Sequence, residues 1–172
     1  MSVLPLVKGA IEDLLVPLTV GGGTLEYVAV SYEPPEKLED VKHPLSADGS
    51  SDGVWMAVDN SGTIEPAFMF GGSTLCLEER WTLTMYVQAI RASGTQEAAD
   101  TAAHSIAAAV IAAIAADRTV GVDLATNNLD LLEVLPGPVR TDGAFTSSGG
   151  SDPGHASLYV LEISVHAQYQ TP

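Results

Sequence analysis

The chain has one cysteine, seven basic residues and no apolar run long enough to cross a membrane, and each shortage removes a class of protein. Cys76 has no second cysteine to pair with, so an intramolecular disulfide is excluded and nothing calls for an oxidising compartment. No Lys, Arg or His stands near it in sequence to lower its pKa, so it reads as a small buried hydrophobe. Seven basic residues face 22 acidic ones, a formal charge of −15 that repels a phosphate backbone or an anionic membrane. The longest apolar run, Ile106 to Ala116, is mostly alanine and well short of the roughly 20 residues that span a bilayer. Lys8, Glu12 and Asp13 break the basic-then-apolar layout of a signal peptide, so a soluble protein in a reducing cytoplasm is expected. A phosphate loop is missing too: Gly21-Gly22-Gly23 has no following Lys-Ser/Thr and reads as a turn or hinge.

What is present is a packing pattern. The 172 residues fit one domain, 1–172, without an internal repeat. Leu4, Val7, Ile11, Leu14 and Leu15 recur at helical spacing behind a candidate cap, Ser2, with Pro5 inside the permissive first turn. Pro17 and the glycine run end that helix. Leu25 to Tyr32 reads as a strand stopped by Pro34-Pro35, and residues 36–53 as a long exposed loop rich in charge, Pro, Ser and Gly. A short strand from Gly53 to Val58 ends at the turn cluster Asp59-Asn60-Ser61-Gly62, and Phe68 to Phe70 is a short strand or a packed loop.

The most regular stretch runs from Glu79 to Gly121. Trp81, Leu83, Met85, Val87 and Ala89 alternate with Arg80, Thr82, Thr84, Tyr86 and Gln88, which predicts a strand with one core face and one polar face. A helix to about Asp117 follows, capped by Ser93 or Thr95, with Gln96 in capping-box position relative to Ser93. Ala99, Ala103, Ile106, Val110, Ala113 and Ile114 form its buried stripe, and the alanines make it slim enough to pack closely. Leu129 to Leu135 reads as a short strand or helical turn ended by Pro136-Gly137-Pro138, and 141–155 as a second flexible loop. The closing strand puts Tyr159, Leu161, Ile163, Val165 and Ala167 on one face. The fold class expected is α+β: two layers, a mainly antiparallel sheet with both helices on one face and long polar loops.

Chemistry finds little purchase. Asp48, Ser50, Asp52, Gly53 and Asp59 fall at positions one, three, five, six and twelve of a calcium loop, but no amphipathic helix precedes them and the last ligand is Asp rather than Glu. A soluble turn has the same composition, so no metal or cofactor is assigned. His43, His104, His155 and His166 show no ligand spacing. Ser147, Asp152 and His155 hold the letters of a nucleophilic triad on a Gly/Ser loop that has no means of positioning them, and an enzyme is not expected. Aromatic residues beside glycine breaks serve as core plugs or contact anchors, and Trp55, Tyr86, Phe145 and His155 are the candidate interface residues.

Glu78-Glu-Arg-Trp-Thr-Leu-Thr-Met-Tyr-Val87, the helix after it, and Leu158-Tyr-Val-Leu-Glu-Ile-Ser-Val165, together with the leading helix and polar loops, resemble the tail terminator (tail completion, minor tail) proteins of long-tailed bacteriophages. The resemblance covers most of the chain as architecture, with loose residue motifs. It implies a structural virion protein, assembled in the host cytoplasm, whose homo-hexameric ring caps the finished tail tube and offers the surface that neck or head-completion proteins join. No catalytic residue is carried over. Six copies would total a charge of about −90, and a negative channel wall would let genomic DNA pass without specific binding. A head-tail connector or stopper is the structural alternative, and a calcium- or small-ligand-binding α+β domain the alternative from another class.

Overall fold

The computed structural model describes residues 2–20, 23–35, 50–67, 75–92, 94–146 and 154–170. The candidates Asp48, Phe68 to Phe70, Ser93, Ser147 and Asp152 lie outside the described residues, as does the Phe145 side chain. The chain folds as expected into an α+β unit, with two helices and a six-stranded sheet among the described residues. Helix α1, Leu4–Leu15, continues into a 3-10 turn, Val16–Val20; β1, Ala29–Ser31, β2, Ser51–Met56, β3, Ser61–Ala67, and β4, Cys76–Arg91, follow. Helix α2, Gln96–Ala116, then leads to β5, Leu129–Thr146, and β6, His155–Gln170.

The sheet runs β1-β2-β4-β6-β5, with β3 also on β4. Among the described residues only β1 and β2 pair in parallel, and the other pairings are antiparallel. The long strands β4 and β6 stay in register from Cys76↔Gln170 to Arg91↔His155 and form the spine. Their odd-numbered side chains, Leu83, Met85, Val87, Leu161, Ile163 and Val165, bury against Val7, Ile11 and Leu15 of α1 and Ile106, Val110 and Ile114 of α2. Both helices therefore cover one face, which follows from period-2 strands meeting period-3.6 stripes.

Several boundaries differ from the sequence reading. The first predicted strand shrinks to Ala29–Ser31, because the chain before it turns through Tyr27 at φ 66°, and Tyr27 N–H donates to Thr19 O. Val3 rather than Ser2 occupies the α1 N-cap; Ser2 Oγ still accepts from Leu4 N–H at 3.3 Å. Ser51 and Asp52, read as loop, pair with Ile90 and Ala89 and start β2 two residues before the strand expected from Gly53. Ser61 and Gly62, read as turn, already belong to β3, which alternation did not reveal because nearly all of its residues are exposed on both faces. Strands β2 and β3 run in the same direction along one edge of β4, interrupted at 57–60, where Asn60 Oδ1 accepts from Thr84 N–H in place of a backbone carbonyl.

Pro136-Gly137-Pro138 does not end β5. The register steps from Pro136↔Ile163 to Val139↔Leu161, a bulge that an edge strand tolerates because its outer side needs no ladder partner. Gly137 permits the close approach: a β-carbon there would stand 2.8 Å from Glu162 O. The strand then continues to Thr146 and β6 starts at His155, so both ends of the predicted 141–155 loop are strand, while 147–153 lie outside the described residues. Thr95 caps α2 by accepting from Ala98 N–H at 3.2 Å, which makes Gln96 the first residue of the helix rather than the third after its cap, and Gln96 donates to Asp100 Oδ1 and Ala156 O.

Candidate functional site: two faces and two ends of the sheet

With the odd-numbered side chains under the helices, the even-numbered ones line the opposite face. Between β3 and β5 this face is an open groove of about 530 Å³ built from two cross-strand rows. One row is Ser61, Thr82, Ser164 and Leu135; the next is Thr63, Arg80, His166 and Glu133. Its charges are largely spent on each other. Arg80 Nε donates to Glu78 Oε1 at 2.8 Å, His166 Nε2 lies 2.8 Å from the same oxygen without the alignment of a hydrogen bond, and Arg118 pairs with Glu133 at 3.3 Å. The Arg80 hydrogen bond leads the influences that hold Glu78 below the usual carboxylate range. A surface of hydroxyls and internally neutralised charge can make many weak hydrogen bonds, but it supplies no activated nucleophile.

Further along the same face, Trp55 and Tyr86 stand directly opposite each other and stack with ring centroids 6.0 Å apart. Trp55 is only 7% exposed, so this candidate contact anchor is a packed residue of the fold. Phe145 pairs with Ala156 near the same end. His155 sits opposite Arg91 and, by strand alternation, on the helix face; its Nδ1 is buried without a hydrogen-bond partner. Trp55 and Tyr86 thus lie on the open face, whereas His155 lies on the helix face at the same end of the sheet.

The calcium-loop residues are separated in a comparable way. Asp52 is a strand residue whose two carboxylate oxygens accept from Arg91 Nη1 and Nη2 at 2.6 and 3.1 Å, and Asp59 lies in the interruption after β2. Among the described residues no group of three or more His, Cys, Asp or Glu side chains is placed to hold a metal ion.

Sequence reasoning missed the most connected polar group. Glu79 is fully buried on the helix side of β4. Its Oε2 accepts from Ser2 Oγ, Val3 N–H and Trp81 Nε1 at 3.0, 3.0 and 2.8 Å, and its Oε1 accepts from Tyr169 Oη at 2.6 Å. Burial pushes this carboxyl up, but the donors, Tyr169 and Trp81 foremost, outweigh it and hold the group below its ordinary range. The Tyr169 phenol is pushed up to about 12 by burial and by the same bond. One carboxylate therefore ties the start of α1 to β4 and β6, where the helix dipole also favours negative charge. The signal was available: extending the Trp81 to Ala89 alternation back by two places an acid on the apolar face.

Lys8 is the second such residue. It sits within the buried stripe of α1, donates from Nζ to Ala57 O at 3.2 Å and lies 4.3 Å from the centre of the Tyr32 ring. Burial lowers its pKa, with Glu33 opposing. Both groups fasten α1 to the sheet, one at each end of its first two turns. No protein-family model matches the chain, and a search of curated proteins finds no match.

Proposed function

We propose that this chain is a structural assembly protein, a tail terminator of a long-tailed bacteriophage, acting by surface complementarity without turnover. The observation that carries the reading is the spine: β4 and β6 pair along their full length beneath the alanine-rich α2, the same three segments on which the resemblance rests. A rigid sheet clamped to two helices provides the fixed complementary surfaces that subunits of a ring need. The open sheet face supports it as well, since hydroxyl rows and neutralised charges suit a contact surface better than a reaction centre. Asp52, held by Arg91, weighs against the calcium-binding alternative.

On this reading six copies form a ring in the host cytoplasm, bind the end of the tail tube and receive the neck protein, with the genome passing through an acidic channel. Mixing the purified chain with tail tubes and imaging them by negative-stain electron microscopy tests this directly. The expected outcome is a ring at one tube end and a halt to further polymerisation. Tubes that keep growing with bare ends would sink the proposal.

A further inference from the structure

We infer that the outer edge of β3 takes up an extended segment of another protein as a further strand of the sheet, with a Lys or Arg of that segment set beside Glu65. This surface is separate from the ring reading and does not rest on it. Along the same side of β4, β2 is covered by β1, whereas among the described residues β3 pairs with β4 alone, and Ser61 to Pro66 are all exposed. Which backbone groups face outward follows from β4. Thr84 turns both its N–H, to Asn60 Oδ1, and its C=O, to Ala57 N–H, toward this side. Because β4 has no register shift against β6, strand alternation turns Thr82, Arg80 and Glu78 the same way, and their partners Ser61, Thr63 and Glu65 bond inward. Gly62, Ile64 and Pro66 then face outward, and Pro66, with no N–H to give, sits where an edge tolerates it. The edge thus offers two N–H and three C=O groups in regular register, the template that strand addition uses.

The flanking side chains select the kind of strand. On the open face Glu65 stands directly opposite Glu78, a like-charge pair that costs the ladder stability. Glu78 is answered by Arg80, but Glu65 meets no cation among the described residues, and 57–67 hold Asp59 and Glu65 without a basic side chain. A Lys or Arg opposite Glu65 on an added strand would lie on that same face and relieve the repulsion. On the other face Ile64 is 49% exposed, and Gly62 leaves room for the Trp81 indole to lie across it, so apolar residues fit opposite both. The segment therefore alternates apolar and polar residues and carries a cation at one polar position. The free edges of a second copy do not supply it. β1 has three residues, β5 has no seven-residue run without a register shift, and a second β3 would bring another Glu65 and no basic residue.

The test is a titration of the full chain with the synthetic peptide acetyl-Thr-Val-Lys-Val-Thr-Val-Thr-amide, which sets Lys opposite Glu65 in an antiparallel pairing, and with the same peptide carrying Glu for Lys. Trp81 fluorescence reads binding, and amide exchange reads which N–H groups become covered. The wild type is expected to bind the Lys peptide at least about tenfold more tightly than the Glu peptide, with exchange slowed at Gly62 and Ile64. Glu65→Lys should reverse that preference. Ile64→Pro removes an outward donor while leaving the inward bonds of β3 in place, and should weaken the Lys peptide at least about tenfold. Both substituted positions are exposed, and circular dichroism verifies folding. Should Ile64→Pro fail to fold, the Glu65→Lys reversal and the exchange pattern decide alone. Binding that leaves exchange at Gly62 and Ile64 unchanged would overturn strand addition, and a Lys preference that survives Glu65→Lys would overturn the charge match. A wild type that binds neither peptide at millimolar concentration would overturn the inference. So would an oligomer in sedimentation velocity that Ile64→Pro dissolves, since the occupant would then be a second copy.

Discussion

Two carboxylates near opposite ends of the β4 ladder solve the same problem in different ways. Glu79 is fully buried and answered by two hydroxyls, an indole and a backbone amide. Asp52, paired through β2 with the far end of β4, keeps about a fifth of its side chain in solvent and is answered by one guanidinium. In the first case the negative charge has been taken from water and rebuilt from fixed dipoles; in the second it is still partly hydrated. Dependence on the protein partners should follow that difference, because a buried group left without partners loses its full solvation while a half-exposed one turns to water.

Replacing Glu79 by Ala gives the sharpest contrast. Trp81 Nε1, Tyr169 Oη and Val3 N–H would lose together an acceptor that is itself fully buried, for a loss of about 3 kcal/mol. Urea unfolding followed by tryptophan fluorescence checks it, with Trp81 as a local reporter. A loss below about 1 kcal/mol would show that the site rehydrates. The expected pattern also includes faster amide exchange at the start of α1, since Glu79 is what holds Val3 to the sheet.

The same bond has a pH signature with two limbs. The folded Glu79 carboxyl titrates below its unfolded counterpart, so its contribution is present above the ordinary glutamate pKa and is lost as pH falls through the lowered folded value. Tyr169 behaves oppositely: its raised pKa contributes stability below the ordinary tyrosine value of about 10, lost as pH rises through about 12. Wild-type stability should decline at both extremes, and Glu79→Gln should flatten the acid limb. Absorbance titration of the phenols should show the Tyr169 ionisation near 12 in the wild type moving earlier in that variant, with the raised Tyr27 left where it is.

The helices and the two spine strands were legible because their side chains repeat at the period of the element. What was not legible depends on distance in sequence. Glu79 makes sense only once Ser2, Val3 and Tyr169 are brought to it from 76 to 90 residues away. Strand β3 lacked alternation because neither of its faces is covered, and β5 carried Pro-Gly-Pro, a stop signal that an edge position disarms. Asp52 had the composition of a turn and the position of a calcium ligand, yet its partner Arg91 lies at the far end of the next paired strand.

Gly62 allows the Glu79 end to be disturbed without touching the carboxylate. It lies opposite Trp81 in the β3–β4 ladder, and a β-carbon there would meet the indole and stand 2.6 Å from Arg80 O. Gly62→Ala should therefore displace Trp81 from Glu79 and cost about 2 kcal/mol, within the range of overpacking. A shifted tryptophan emission maximum with α1 still ordered would separate this from the wider release expected of Glu79→Ala.

At the other end, Asp52→Ala should do least. Its carboxylate and the Arg91 guanidinium are both about one-fifth exposed, Arg91 Nη1 also donates to Ile90 O at 2.8 Å, and the freed cation can be hydrated where it stands. Screening and side-chain ordering leave such pairs worth no more than about 1 kcal/mol, and added salt should narrow even that gap between variant and wild type. A loss matching that of Glu79→Ala would erase the contrast and mean that the Asp52 end is as dry as the Glu79 end. A small, salt-sensitive loss beside a large, salt-insensitive one would place the rigidity of this sheet at the buried carboxylate, where α1 is fastened to the spine.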